Sequence, residues 1–230
     1  MWSPPGFVNP GYEVKIQRVA IAGGSGLDIR SLIDRQQYAD PFGEAEAAGI
    51  SPAGWPLFGQ VWPSGRQLAD LMQSWELGAR RVLEIGCGLG LASLVIHRRG
   101  GNITASDCHP LTEAFLRFNL RINQLSPMQY QAGNWGRSNP SLGEFDLIIG
   151  SDVLYERDQP GHIAAFIQSH AAQRAEVLII DPNRGNRSAF KRDMQAYGFE
   201  LTETMLESML DDGTPYRGRL LHYRRERAFN

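Results

Sequence analysis

Glu84, Asp107 and Asp152 each stand at or beside the end of a short apolar run, in the segments VLEIGCG, ITASDC and DLIIGSD. Carboxylates placed there accept hydrogen bonds from hydroxyls and attract cations, and they repel phosphate. The first acid is the most informative, because Gly86, Gly88 and Gly90 follow it at once in RVLEIGCGLGL, residues 81–91. Such glycines form a tight turn on which a ligand can lie against the backbone. A pyrophosphate on that turn would meet Glu84, and no Lys or Arg lies between Val82 and Ile96 to offset it. The dinucleotide fingerprint G-x-G-x-x-G also fails, since its third glycine position is Leu91. A ligand with a cationic end fits better. S-adenosylmethionine, which carries an ammonium and a sulfonium but no phosphate, is such a ligand. The same residues also suit a tight strand-to-helix turn that holds no ligand.

Asp107 lies roughly 20 residues beyond Gly86, where an acid at the tip of the next strand can accept hydrogen bonds from both ribose hydroxyls, or can cap the helix that follows. Trp62 reads as a core anchor or as an aromatic wall of the same pocket. Trp135, beside Asn134, reads as a stack for a purine or as core packing. Asp152 and Tyr155, three residues apart, converge on one pocket if the chain coils after the strand that precedes them.

Positioning these groups requires alternating strands and helices. Val82, Leu83 and Ile85 predict a buried parallel strand, Leu91 to Arg98 a helix, and Asn102 to Ser106 a second strand. A helix over Leu111 to Ile122 and a strand over Met128 to Ala132 follow, and Phe145 to Gly150 is a second clear buried strand. The alternation continues with helix Gln159 to Gln173, strand Glu176 to Asp181 and helix Ser188 to Tyr197. It closes with an antiparallel pair, Phe199 to Met205 with Arg219 to Arg224. This is an α/β, Rossmann-like pattern with helices on both faces of the sheet. Residues 61–230 are expected to form the main domain, opened by a helix with Leu68, Leu71, Met72 and Trp75 on one face. Residues 1–60 are expected to form a small β-containing cap, because Tyr12 to Ala22 alternates apolar and polar residues. The Pro- and Gly-rich stretch from Asp40 to Pro56 reads as a surface loop or as one that orders on binding.

With 230 residues, 42% of them hydrophobic, the chain is long enough for one sizeable core. A net charge of -2 gives no general attraction to nucleic acid or to an anionic membrane. No apolar run approaches the ~20 residues of a membrane span. Two cysteines, Cys87 and Cys108, are too few for a disulfide framework and suit ordinary small-residue packing in a reducing cytoplasm. A soluble cytoplasmic protein is expected. The five histidines show no H-x-x-H spacing, so no metal is inferred. There is no G-x-S-x-G elbow and no P-loop Gly-Lys-Ser/Thr. Arg217, Arg219, Arg224, Arg225 and Arg227 make a basic terminus that reads as a solvated edge or as a substrate-docking patch.

Taken in order, VWPSG, VLEIGCGLGLASL, ASDCHP, FNLRIN, NWG and DLIIGSDVLYE resemble the family-16 branch of seven-strand, class I S-adenosylmethionine-dependent methyltransferases, over Val61 to Glu156. The resemblance implies a mostly parallel seven-stranded sheet with an antiparallel last strand. It also implies that Trp62, Glu84, Gly86, Gly88, Asp107, Trp135 and Ser151 line the cofactor pocket, while the segment from Asp152 to Tyr155 faces the methyl acceptor. The expected cofactor-binding set is Trp62, Glu84, Gly86, Cys87, Gly88, Asp107, Cys108, Asn134, Trp135 and Ser151, with Asp152 and Tyr155 as the expected catalytic pair. Members of that branch mostly methylate lysines of particular proteins, which makes a protein the expected partner. The strip IDPNRGNRSAF from Ile180 is similar to members that modify a flavoprotein subunit. A lysine acceptor must lose its proton, which costs about 4.6 kcal/mol at pH 7 in water. An apolar channel lowers that cost and Asp152 raises it, so Asp152 is read as orienting the amine while the proton leaves to water. Small-molecule methylation and a non-catalytic cofactor-binding role remain the alternatives.

Overall fold

The alternation in VKIQRVAI forms β1 (Val14–Ile21), which pairs antiparallel with β2 (Gly24–Leu32) and buries Val19, Ile21, Leu27 and Ile29. β2 was not visible as a strand in the sequence, because Gly24, Gly26 and Asp28 are poor strand formers and its partner supplies the pairing. A computed structural model describes residues 11–155, 159–210 and 213–226. Glu156 and Arg227, both singled out in the sequence, lie outside those residues.

The stretch from Asp40 to Pro56 holds one short helix, α1 (Glu44–Ala47), whose first turn is fixed by the Asp40 carboxylate accepting the backbone N–H groups of Ala45 and Glu46. After a 3-10 turn at Trp55–Gly59 comes α2 (Pro63–Ser74), which starts with Pro at its first position and buries Leu68, Ala69 and Met72. The remaining elements alternate. They are β3 (Arg81–Ile85), α3 (Leu91–Arg98), β4 (Asn102–Asp107), α4 (Thr112–Ile122), β5 (Gln129–Ala132) and β6 (Phe145–Ser151). These are followed by α5 (Gln159–His170), β7 (Ala171–Asp181), α6 (Arg187–Ala196), β8 (Glu200–Met209) and β9 (Pro215–Arg225).

The main sheet has the order β5-β4-β3-β6-β7-β9-β8. Its strands pair in parallel except β9, which runs antiparallel to both β7 and β8. This is the expected seven-stranded, mostly parallel sheet with its last strand reversed. Period-two alternation along β3 divides the core. Val82 joins the layer formed with the hairpin, α2 and α3, while Leu83 and Ile85 join the layer with Ile163, Ile167 and Phe190 of α5 and α6. Strand order reverses at β3, whose neighbours are β4 and β6, and a doubly wound sheet opens its crevice at such a point.

Two expectations are corrected. α5 ends at His170, and β7 begins at Ala171 instead of Glu176, because Ala171 pairs with Phe145 and the Arg225 guanidinium donates to the carbonyls of Ala171 and Ala172. The basic terminus is also not a uniform solvated edge. β9 is an interior strand, and Arg225 is buried over the Phe199 ring, with its guanidinium carbon 4.5 Å from the ring centroid.

Candidate active site

The glycine turn that leaves β3 is shaped by the protein around it. Gly86 and Gly88 have φ of +59° and +51°, a left-handed conformation that favours glycine. A Cβ at Gly86 would sit 2.9 Å from Val153 Cγ1 and 3.1 Å from Trp135 Cζ2, and one at Gly88 would sit 2.9 Å from the Phe58 carbonyl oxygen. The turn is thus clamped between the end of β6, the loop after β5 and the 3-10 turn before α2.

Its two flanking acids are both engaged. Glu84 is buried, and its Oε2 accepts the backbone N–H of Ser93 at 2.8 Å together with the Ser93 hydroxyl. This satisfies one of the open N–H groups in the first turn of α3 and ties the helix to β3. Burial pushes the Glu84 carboxyl up to about 7, against the lowering effect of the Ser93 hydrogen bonds. Asp107 ends β4. Its Oδ2 accepts the Gly88 N–H at 2.9 Å and its Oδ1 the His109 N–H at 2.8 Å, and burial raises its pKa. A carboxylate offers about four acceptor sites, so capacity remains beyond these two bonds.

His109 is buried with its ring stacked on Phe58, centroids 3.7 Å apart, and edge-on to Trp55. Burial lowers its pKa to about 4, so the imidazole is neutral at pH 7. The segment from Ala48 to Ser51 covers this end of the site, where the Asn134 amide donates to the Ala48 carbonyl at 3.3 Å. Trp62 is held by its indole N–H, which donates to the Leu57 carbonyl at 2.8 Å, and Arg35 lies over its ring.

At the other end, Asp152 leaves β6 with φ 53°, and its N–H donates to the Ile180 carbonyl. Val153 and Leu154 then turn into the core, and Tyr155 emerges 42% exposed. Arg184, in the loop between β7 and α6, donates from Nε to Asp152 Oδ1 at 2.9 Å and from Nη2 to Oδ2 at 3.1 Å. The two parallel bonds form a bidentate pair.

All twelve residues expected at the site border one cavity of about 860 Å³: Trp62, Glu84, Gly86, Cys87, Gly88, Asp107, Cys108, Asn134, Trp135, Ser151, Asp152 and Tyr155. Arg35, Phe58, His109, His162 and Arg184 line the same cavity and were not singled out as site residues from the sequence. Arg184 had a signal, since it lies in the strip IDPNRGNRSAF. The Phe58 to His109 stack had none, because it joins residues far apart in the chain.

A family model described as lysine methyltransferase matches residues 57–195. The chain belongs to this family. The electron transfer flavoprotein beta subunit lysine methyltransferase of Rattus norvegicus is 29% identical over 156 residues, covering 66% of this chain and 60% of that protein. Protein N-lysine methyltransferase METTL21A of Xenopus tropicalis is 29% identical over 140 residues, covering 58% of this chain and 62% of the relative. The chain thus spans about 60% of the length of these curated relatives. Among solved structures, the magnesium protoporphyrin IX methyltransferase of Synechocystis PCC 6803 superposes with a TM-score of 0.57 at 18% identity, over 73% of this chain and 86% of that one. A methyltransferase from Pyrococcus furiosus gives a TM-score of 0.58 at 16% identity, over 80% of this chain and all of its own (100%). At these identities the superpositions establish the shared fold. No helix among the described residues is long and apolar enough to cross a membrane.

Proposed function

We propose that this chain is an S-adenosylmethionine-dependent methyltransferase whose acceptor is the side-chain nitrogen of a lysine in a protein. One observation carries the reading: an acid-flanked glycine turn and the Asp152 to Tyr155 segment border the same cavity. Its volume, about 860 Å³, lies within the ~300–1,000 Å³ usual for small-ligand sites and leaves room for an acceptor side chain beside a nucleoside.

The residues present fit that cofactor. Asp107 keeps acceptor capacity for ribose hydroxyls after taking the N–H groups of Gly88 and His109. Trp135 and Trp62 offer apolar walls, and the Glu84 and Asp107 carboxylates disfavour phosphate while tolerating a cationic ligand. When bound, S-adenosylmethionine supplies a methyl carbon that the acceptor nitrogen's lone pair takes as the carbon–sulfur bonding pair passes to sulfur. The chain's own task is alignment and the exclusion of water, and the segment from Ala48 to Ser51 serves the latter. Asp152 orients the amine, and Tyr155 packs on the alkyl stem. Tyr155 is half-exposed at the cavity wall, which suits an acceptor presented by a large partner.

Incubation with tritiated S-adenosylmethionine and a whole-cell lysate that keeps its small molecules tests this. Label in protein is the expected result. Label only in the small-molecule or nucleic-acid fraction overturns the protein-acceptor reading.

A further inference from the structure

We propose that Arg184 is a positioning residue for methyl transfer: it cancels the charge of Asp152, so that Asp152 can orient the acceptor amine without holding it as ammonium. The inference rests on the lysine-acceptor reading given above. A carboxylate beside the amine creates a conflict, because it offers a hydrogen-bond acceptor that aims the nitrogen yet stabilises the protonated form, which has no lone pair to give. The geometry resolves it. Arg184 meets Asp152 through two bonds of 2.9 and 3.1 Å, and both residues line the cavity. The Asp152 side chain is only 13% exposed, so water does little to screen its charge and a guanidinium must do so instead. Arg184 occupies two of the roughly four acceptor sites of the carboxylate, which leaves sites for an amine.

The pair is built in from both sides. Asp152 is held in its left-handed conformation with its N–H on the Ile180 carbonyl, and Arg184 donates its own N–H to Asp181 Oδ2 at 2.9 Å. Donating to Asp152 in turn stabilises the charged form of Arg184. Other charged or titratable groups near this point are Asp181 at the end of β7, Arg187 at the start of α6, Tyr216 on β9, and Tyr155 and His162 on the cavity wall. Burial raises the Asp181 pKa, against the lowering effect of the Arg184 N–H and of Arg187, and both Asp181 and Tyr216 feel the Asp152 charge. Of these groups, Arg184 is the one cation bonded to Asp152 among the described residues.

The test is the pH profile of the maximal labelling rate, with saturating lysate as acceptor and tritiated S-adenosylmethionine. In Arg184→Gln the acid limb moves up by about one pH unit, because the uncompensated carboxylate retains the ammonium. Arg184→Lys keeps the charge and stays near the wild-type limb, and Asp152→Asn moves the limb the other way. Independently of turnover, n-butylammonium at pH 7, titrated calorimetrically with S-adenosylhomocysteine present, binds Arg184→Gln at least several-fold more tightly than wild type. A rate in Arg184→Gln that falls equally at every pH, with unchanged butylammonium affinity, overturns the proposal and leaves a merely structural arginine. If Arg184→Gln does not fold, an Asp152→Asn limb that fails to move does the same. Failure of the wild type to label any protein overturns the underlying lysine reading instead.

Discussion

Glu84 and Ser93 are joined twice, with the buried Glu84 carboxylate accepting both the backbone N–H and the hydroxyl of Ser93. This couples the end of β3 to the first turn of α3 across the glycine turn, so an acid that borders the ligand cavity is also a structural brace. It also makes folding pH-dependent. Burial raises the Glu84 carboxyl from its ordinary 4.5 to about 7, so between those values the folded chain holds a proton that the unfolded chain has lost. The contribution is fully present below pH 4.5 and declines as pH rises to about 7, by about 3 kcal/mol. Glu84→Gln is expected to flatten that part of the stability curve in urea unfolding between pH 5 and 7.5. An unchanged slope contradicts the assignment.

Ser93→Ala removes the hydroxyl but leaves the backbone N–H in place. The buried carboxylate loses one donor, and a loss of about 1–3 kcal/mol in unfolding free energy is expected. The decline should be visible as a lower urea midpoint without a change in m-value.

Gly86→Ala combines two costs. The residue must hold φ near +59°, and its new Cβ approaches Val153 and Trp135 to about 3 Å. About 2–4 kcal/mol of destabilisation follows from the conformational and overpacking terms together. Trp135 is displaced by the same contact, so its fluorescence should change even where the variant still folds.

Asp107 is expected to govern cofactor affinity. Asp107→Ala removes the acceptor for ribose and leaves the Gly88 and His109 N–H groups without their partner. Calorimetric titration should give a dissociation constant raised at least 10-fold, or about 1.4 kcal/mol, for S-adenosylmethionine and S-adenosylhomocysteine alike. Equal loss for both marks the shared ribose. Unchanged affinity would remove Asp107 from the site.

The order of elements was legible because buried strands such as VLEI and DLIIG are short, apolar and followed by glycine or an acid. The acids at the strand tips led to one cavity for the same reason, since a parallel sheet gathers its carboxyl ends along one edge. What could not be read was contact between distant segments. Arg225 carries the composition of an exposed tail, yet cross-sheet packing buries it against Phe199 and the start of β7. The bond from Arg184 to Asp152 spans 32 residues and requires the β6 and β7 tips to be adjacent, which no local pattern encodes. β2 likewise depends on its partner strand and on Asn119 of α4 and Asn123 just after it, which accept its backbone N–H groups at Arg30 and Asp28.

The most direct measurement is amino-acid analysis of protein labelled by this chain with tritiated S-adenosylmethionine. After complete acid hydrolysis and chromatography, the radioactivity is expected to co-elute with Nε-methylated lysine and to fall several-fold when Asp107→Ala replaces the wild type at subsaturating cofactor. Radioactivity recovered on arginine or histidine derivatives, or released as methylamine from a side-chain amide, or none in protein at all, would contradict it.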